Sequence, residues 1–217
     1  MPSENSIDSA LVKISEGGVQ LEGDLSLPPG TSRLVLFAHG SGSGRHSPRN
    51  RYVAEVLNRT GIGTLLFDLL TEEEDQIYET RFNIDLLTER LLLATQWWES
   101  QPSSKGFSLG YFGASTGAAA ALMAAAEIGP KIGAVVSRGG RPDLALPRLA
   151  RVRSPTLLIV GGEDDVVIEL NREASEQLRG EKELVIVPGA AHLFEEPGKL
   201  EIVASLATEW FQKYLKM

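Results

Sequence analysis

The chain has 217 residues, of which 42% are hydrophobic and 23% charged, and its formal net charge is −8 at pH 7. These values indicate one soluble globular domain with a sizeable core. The absence of cysteine excludes disulfides, thiolate metal sites and a cysteine nucleophile, and it fits a cytoplasmic location. The 21 basic residues are spread along an acidic chain, which argues against nucleic-acid binding, and no apolar run reaches the ~18 residues of a membrane span.

The N-terminal residues 1–9 form a predicted polar extension without the basic and apolar regions of a secretory signal. Two short strands, Leu11–Ile14 and Val19–Leu25, follow it and are predicted to pair as a hairpin around a glycine pair. Residues 10–217 are then predicted to form a single domain.

After the hairpin, predicted strands and helices alternate along the chain. Such alternation indicates an α/β fold with a mostly parallel central sheet and helices on both faces. The predicted strands are Leu34–Ala38, Gly63–Phe67, Phe107–Phe112, Ile132–Val136, Thr156–Val160 and Glu183–Val187. The predicted helices are Pro48–Arg59, Thr80–Trp98, Thr116–Ile128, Val167–Leu178 and Leu200–Leu215.

Two connecting segments bear on where a ligand could bind. Thr71–Asp75 contains four consecutive acids and is predicted to be a solvated loop rather than a cation site, since no second acidic cluster answers it. Ser137–Pro155 has room for a turn and one short helix. We therefore expect no sizeable cap domain, an open pocket and a small substrate.

The most informative motif is Gly113-Ala114-Ser115-Thr116-Gly117, which lies between a predicted strand and an alanine-rich predicted helix. The G-x-S-x-G spacing is typical of a nucleophile elbow, in which a serine is exposed at a sharp strand-to-helix turn. Residues without bulk are needed on both sides of that serine, and Gly113 and Gly117 supply the room. The motif predicts Ser115 as a nucleophile.

Two further side chains follow later predicted strands. The run Gly161-Gly162-Glu163-Asp164-Asp165 supplies a carboxylate after one strand, and Pro188-Gly189-Ala190-Ala191-His192 supplies a histidine after the last. The carboxyl ends of parallel strands form the ligand site of an open α/β sheet, so these groups are expected beside Ser115. The chain order Ser, Asp, His is that of the α/β-hydrolases.

These residues have complementary predicted roles. A serine hydroxyl is a poor nucleophile until a base takes its proton, and an imidazole needs a fixed tautomer to be that base. His192 is the predicted base and Asp164 its orienting carboxylate, with Asp165 and Glu163 as alternatives. Thr116 is expected to supply one oxyanion donor through its backbone N–H, and Ser41 the other, with Gly42 as the next choice.

Four motifs together resemble the dienelactone-hydrolase-like group of α/β-hydrolases. They are the His39-Gly40 turn, the Gly113–Gly117 elbow, Gly161-x-x-Asp164-x-x-Val167 and Gly189-x-x-His192. The resemblance runs from about Leu11 to the C-terminus, and its spacing favours Asp164 as the orienting carboxylate. The best-known dienelactone hydrolases use a cysteine nucleophile, whereas this chain has Ser115. That departure moves the interpretation towards a serine esterase.

Other polar residues near these motifs have two possible roles each. His39 is expected to be a structural hydrogen-bonding histidine, and His46 a surface residue rather than a substrate contact. Arg138 and Arg141 either are solvated or paired with Asp143, or else recognise an anionic group of the substrate. The glycine-rich run over residues 40–44 fits neither a Walker nor a Rossmann fingerprint, so it is interpreted as an oxyanion loop.

The sequence thus predicts a serine hydrolase that cleaves small carboxylic esters through an acyl-serine intermediate, without a metal or an organic cofactor. Its expected partner is a small-molecule ester, with neither nucleic acid nor a membrane involved. A thioesterase or acyltransferase is the alternative, because the same acyl-serine can form from a thioester or pass to another acceptor. A non-catalytic binding protein on the same fold is a further alternative. The oligomeric state is not indicated.

Overall fold

Eight strands form one sheet in the computed structural model, which describes residues 7–216. Most of the predicted polar extension, residues 1–6, lies outside the described residues. The strand order across the sheet is β1-β2-β4-β3-β5-β6-β7-β8. The strands are β1 Asp8–Glu16, β2 Val19–Leu27, β3 Arg33–Ala38, β4 Gly63–Phe67, β5 Ser108–Ala114, β6 Ile132–Arg138, β7 Thr156–Gly161 and β8 Lys182–Val187.

The sheet is parallel except at its N-terminal edge. Strands β1 and β2 pair antiparallel as the predicted hairpin, and β2 pairs antiparallel with β4, while the pairs from β4 to β8 are parallel. Both the hairpin and the mostly parallel sheet are therefore confirmed. The hairpin strands are longer than predicted, because nine residue pairs from Asp8↔Leu27 to Glu16↔Val19 stay in register.

Helices cover both faces of the sheet. They are α1 Pro48–Arg59, α2 Glu72–Asp75, α3 Ile84–Glu99, α4 Thr116–Ile128, α5 Leu146–Leu149, α6 Asp165–Gln177 and α7 Lys199–Tyr214. Short 3₁₀ segments span Tyr78–Phe82, Pro102–Ser104, Gly129–Lys131 and Pro142–Ala145. Within residues 7–216, no helix has both the length and the apolar character that crossing a membrane requires.

The core has one layer on each side of the sheet, because successive strand residues face opposite ways. Leu34 and Leu36 of β3 pack in the layer covered by α3 and α4, whereas Val35 and Phe37 pack in the layer covered by α1 and α7. Helix α4 is buried from Thr116 through Ala126. Its alanines have no long side chains, so the helix can lie close to the sheet and hold the turn before it firmly.

Two predictions about helices were wrong, both on account of helix caps. Thr71–Asp75 is not a loop: α2 begins there in a capping box, in which the Thr71 hydroxyl accepts the Glu74 N–H and the Glu74 carboxylate accepts the Thr71 N–H. The helix predicted over Thr80–Trp98 begins at Ile84, because the Asn83 side chain caps it by accepting the Leu86 N–H at 3.1 Å.

The segment between β6 and β7 contains a 3₁₀ turn and the four-residue helix α5. This matches the expected turn and short helix, and within residues 7–216 no cap domain stands over the carboxyl edge of the sheet. The side chains that follow β5, β7 and β8 at that edge are thus left accessible from one side.

Candidate active site

The predicted nucleophile lies at a sharp turn between β5 and α4. Ser115 is the N-cap of α4 and has φ 50° and ψ −121°, a conformation that residues other than glycine rarely adopt. Its side chain is half-buried, whereas the flanking Ala114 and Thr116 are buried. Such a strained, accessible serine is the geometry of a nucleophile elbow.

The glycines of the elbow are required by close backbone contacts. A Cβ on Gly117 would collide with the carbonyl oxygens of Ala38 and His39 at the end of β3. A Cβ on Gly113 would lie 2.7 Å from the Gly117 carbonyl oxygen. The G-x-S-x-G spacing therefore lets α4, β5 and β3 approach one another closely enough to fix the position of Ser115.

Asp164 and His192 meet at the same edge of the sheet, after β7 and β8. Asp164 Oδ2 lies 2.6 Å from His192 Nδ1, a short hydrogen bond between side chains that are 17% and 37% exposed. The alternatives Asp165 and Glu163 have exposed side chains. Of the three acids proposed from sequence, Asp164 is therefore the one that the structure brings to the imidazole.

Backbone hydrogen bonds join the two loops that carry this pair. The Glu163 N–H donates to the Ala190 carbonyl at 2.9 Å, and the Gly162 N–H donates to the Val187 carbonyl at 2.8 Å. A Cβ on Gly161 would collide with the Ala190 carbonyl oxygen. The two loops consequently pack backbone to backbone, which holds the Asp164 carboxylate and the His192 imidazole within hydrogen-bonding distance.

The segment after β6 contacts both Ser115 and His192. The Ser115 N–H donates to the Arg138 carbonyl at 3.2 Å, and the Arg141 N–H donates to the Ser115 carbonyl at 3.0 Å. A Cβ on Gly139 would lie 3.5 Å from His192 Nδ1. Within residues 7–216, no hydrogen bond forms between Ser115 Oγ and His192, as is common in catalytic sites without a bound substrate.

The predicted oxyanion loop lies directly against the nucleophile. A Cβ on Gly40 would lie 3.0 Å from the Ser115 Cβ. The Ser41 N–H, the predicted second oxyanion donor, donates at 3.0 Å to the hydroxyl oxygen of Thr116. Gly42, the alternative donor, is exposed and has φ 66° in the turn closed by the bond from the Ser43 N–H to the Gly40 carbonyl.

His39 is buried behind this loop. Its Nε2 accepts the Leu69 N–H at 2.9 Å, so the ring proton is on Nδ1, which lies 3.0 Å from the Gly40 carbonyl oxygen. Burial lowers the pKa of His39, partly offset by the Gly40 bond and by the charges of Asp68 and Asp75. His39 is thus a neutral hydrogen-bonding residue, in line with its predicted structural role.

The remaining candidates lie in different environments. The His46 side chain is exposed, before α1. Arg141 makes two 2.8 Å hydrogen bonds to Asp143, so its charge is locally balanced. Arg138 is 6% exposed, and within residues 7–216 no carboxylate pairs with it. Burial, and to a smaller extent repulsion from Arg49, lower the pKa of Arg138 to about 10. The guanidinium is therefore charged at neutral pH.

Sequence reasoning missed Arg81, which flanks the oxyanion loop from the 3₁₀ segment before α3. Its Nε donates to the Asp75 carbonyl oxygen at 2.7 Å, and its Nη1 would lie 4.0 Å from a Cβ on Gly42. The capping box that forms α2 was the available signal, because it places Asp75 where Arg81 can bind it.

Beyond His39, a cleft of about 420 Å³ lies between the glycine-rich loop and α2.

The residues that line this cleft include Asp68, Glu72 and Asp75 but none of Ser115, Asp164 and His192. Within residues 7–216, no three His, Asp or Glu side chains are grouped so that they could hold a metal ion.

The sheet order, the elbow and the loops after β7 and β8 are those of an α/β-hydrolase. The chain belongs to the dienelactone hydrolase family, whose profile matches residues 53–217. The family resemblance read from the four motifs is thereby confirmed. A solved esterase from Pyrococcus furiosus shares this fold, with a TM-score of 0.80 at 20% identity over 100% of this chain and 95% of that one.

The crystal structure of a dienelactone hydrolase from Anabaena variabilis is 56% identical to this chain. It superposes with a TM-score of 0.94 and covers 97% of this chain and 99% of that one. Est1E from Butyrivibrio proteoclasticus shares the fold, with a TM-score of 0.81 at 17% identity over 94% of this chain and 98% of that one.

A Mycobacterium tuberculosis protein that carries the provisional name phosphoribosyl transferase is 55% identical over 204 residues. The match covers 94% of this chain but 46% of that protein. The chain therefore spans about half the length of the curated relatives that it matches.

Proposed function

We propose that this protein is a serine hydrolase that cleaves small carboxylic esters through an acyl-serine intermediate. The observation that carries the proposal is the 2.6 Å hydrogen bond between Asp164 and His192 at the sheet edge where Ser115 occupies a strained elbow. Membership of the dienelactone hydrolase family supports the same chemistry. No residue of the proposed mechanism requires a metal or an organic cofactor.

In the first half-reaction Ser115 Oγ attacks the ester carbonyl carbon while His192 Nε2 takes its proton. Asp164 accepts the Nδ1–H of His192, which fixes the tautomer and stabilises the imidazolium that forms. Collapse of the tetrahedral intermediate breaks the bond to the alcohol, which leaves with the proton from His192. Water then attacks the acyl-serine by the same sequence and releases the acid.

The negative charge of each tetrahedral intermediate needs donors that are already in place. Thr116 begins α4, so its N–H has no acceptor within the helix and is available at the positive end of the helix dipole. Such preorganised donors commonly give the largest single contribution to the rate of acyl transfer. The oxyanion loop after β3 borders the same position, because Gly40 contacts Ser115 and the Ser41 N–H donates to the Thr116 hydroxyl oxygen.

We further propose that the substrate is small and carries an anionic group near Arg138. The segment between β6 and β7 adds one short helix and no cap, which suits a substrate that the open sheet edge can accommodate. A buried guanidinium without a carboxylate partner is costly, and an anion that it could hydrogen-bond would offset that cost. Arg141, already paired with Asp143, is not needed for this contact.

The name of the mycobacterial relative belongs to a protein about twice as long as the matched segment, and we do not transfer that activity to this chain.

The transfer of an acyl group to an acceptor other than water uses the same acyl-serine. A thioesterase or acyltransferase is therefore separated from an esterase by the acyl donor and acceptor that give the highest kcat/KM.

The test is ester turnover over a series of acyl lengths, with matched thioesters, for the wild type and Ser115→Ala. We expect the substitution to lower kcat by on the order of 10⁴ or more, because the remaining rate comes from the oxyanion donors and binding alone. Ser103→Ala, at an exposed serine before the start of β5 and so at the opposite end of that strand from the elbow, is the matched control and should be unaffected. Full ester turnover by Ser115→Ala would contradict the mechanism.

A further inference from the structure

The Thr116 side chain is buried against the oxyanion loop, directly after the proposed nucleophile in sequence. It is 3% exposed, and its hydroxyl oxygen accepts the Ser41 N–H at 3.0 Å. A hydroxyl has one proton to donate as well as lone pairs to accept with. Within residues 7–216, no acceptor receives the Thr116 proton. The hydroxyl is thus satisfied as an acceptor and free as a donor, on the residue that directly follows the proposed nucleophile in sequence.

The Ser41 N–H is not free to serve a substrate directly in this arrangement, because it already donates to Thr116. The direction of the Ser41 N–H is fixed by hydrogen bonds to the Gly40 carbonyl oxygen, which belongs to the same peptide group. The Gly40 carbonyl oxygen lies 3.0 Å from His39 Nδ1 and accepts the Ser43 N–H at 3.2 Å. In a trans peptide the carbonyl and the N–H point in opposite directions, so these bonds aim the Ser41 N–H at Thr116.

His39 can make this contact in one tautomer. Its Nε2 accepts the Leu69 N–H at 2.9 Å, which leaves the proton on Nδ1 for the Gly40 carbonyl. The ring is buried, and its lowered pKa keeps it neutral. His39 is therefore a positioning residue for the Gly40–Ser41 peptide, and the peptide in turn orients the Thr116 hydroxyl.

We propose that the Thr116 hydroxyl is a catalytic donor to the oxyanion, and that Ser41 acts through it rather than on the substrate. This inference rests on the serine-hydrolase function proposed above. Thr116 then supplies two donors, its backbone N–H and its O–H. The hydroxyl keeps its proton throughout: it donates a hydrogen bond to the oxyanion while the Ser41 N–H polarises it from behind. Hydrogen bonds in such a chain strengthen one another.

The proposal is tested with Thr116→Val, which keeps the shape of the side chain and removes the hydroxyl, and with Thr116→Ser, which keeps the hydroxyl. Loss of one oxyanion donor lowers kcat by about 10²–10³-fold, and we expect that loss in the valine variant with KM little changed. The serine variant should stay within about threefold of the wild type, because its hydroxyl can still accept from Ser41 and donate to the oxyanion.

A second readout separates catalysis from packing. A trifluoromethyl ketone forms a tetrahedral adduct with an active serine and places an oxyanion at the same donors. Its dissociation constant should rise in Thr116→Val by the factor by which kcat/KM falls, since both report binding of the tetrahedral oxyanion. Circular dichroism and the Tm establish that the variants are folded. If the valine variant does not fold, Thr116→Ala replaces it, and a fall in kcat with weaker ketone binding is again expected.

The outcomes are distinct. A valine variant within about threefold of the wild-type kcat overturns the proposal and leaves the N–H of Ser41 or Gly42 as the direct donor. A fall in kcat without weaker ketone binding also overturns it, because the effect would then be structural. If the wild type hydrolyses no ester, or Ser115→Ala keeps its rate, the serine-hydrolase function fails and this inference fails with it. Loss in Ser115→Ala with a fully active Thr116→Val removes this inference alone.

Discussion

The two sides of the candidate site are held in different ways. On the nucleophile side, Ser115 is fixed by backbone contacts that leave no room for side chains, as the collisions at Gly117 and the 3.0 Å approach at Gly40 show. On the acid–base side, partly exposed side chains of Asp164 and His192 are joined by a hydrogen bond. Steric contacts position Ser115, whereas a hydrogen bond between side chains positions His192.

This difference teaches where substitutions should change the fold and where they should change the reaction. A side chain added on the nucleophile side displaces β3 from α4, so its first effect is on stability. A conservative replacement on the acid–base side removes a charge or a hydrogen bond with little change in packing. The acid–base side is therefore where activity and stability are expected to separate most clearly.

On the acid–base side, the largest expected effect follows from Asp164→Asn. The amide can present its N–H₂ to His192 and stabilise the wrong tautomer, so we expect kcat to fall by up to about 10⁴-fold while the Tm changes little. Asp165→Asn, at the exposed neighbouring acid, is the matched control and should keep nearly full activity. Steady-state kinetics on one ester for both variants measures this contrast. The reverse ranking would identify Asp165 as the orienting acid.

The same contrast explains which parts could be predicted from the sequence. The elbow was predictable because the requirement for glycine at two fixed positions is steric and local. Asp164 and His192 were placed because parallel strands bring their carboxyl ends to one edge. The sheet and its hairpin followed from alternation and turn signals, and they are confirmed.

What could not be predicted depends on contacts between distant segments. Arg138 and Arg141, at the end of β6 and just after it, looked equivalent in sequence. In the structure Asp143 binds Arg141, whereas Arg138 is buried beneath the loop that carries His192. The bond from the Ser41 N–H to Thr116 joins residues 75 positions apart and has no local signal. The start of α3, by contrast, had a local signal in the sequence, since Asn83 is a good cap.

A smaller effect is expected at Arg138, which connects the two sides: its carbonyl accepts the Ser115 N–H, and its Nη1 lies 3.5 Å from the Leu193 carbonyl oxygen. Arg138→Met keeps an apolar stem in the buried space and removes the charge. If Arg138 contacts an anionic substrate group, kcat/KM for an ω-carboxylated ester should fall about tenfold or more, while the neutral analogue is nearly unaffected.

The comparison is made at fixed ionic strength, with Arg141→Ala as the control. Because Asp143 already balances Arg141, its removal should leave both esters nearly unchanged. If both esters fall together in Arg138→Met, the guanidinium supports the His192 loop instead of recognising the substrate. If neither falls, the proposed preference for an anionic ester is wrong.

The smallest expected effect concerns stability on the nucleophile side, where His39 links the oxyanion loop to the chain after β4. Burial holds the pKa of His39 below its ordinary value of 6.5. At a pH between the folded-state pKa and the ordinary pKa of the unfolded chain, the unfolded chain binds the proton and the folded protein does not. The free energy of unfolding therefore rises with pH through this window. The contribution is fully present above about pH 6.5 and is lost as the pH falls towards the folded-state pKa.

His39→Gln retains a donor and an acceptor but does not titrate, so it isolates this contribution. From pH 7.5 to 5.5, the free energy of unfolding of the wild type should fall more steeply than that of the variant, by at most about 1.4 kcal/mol per pH unit for one proton. Urea unfolding at a series of pH values measures both curves, and His46→Gln, at an exposed histidine, should follow the wild type. Parallel curves for wild type and His39→Gln would mean that His39 titrates alike in the folded and unfolded states. The conclusion that a neutral His39 orients the Gly40–Ser41 peptide would then be wrong. The position of Ser115 would depend on steric contacts alone.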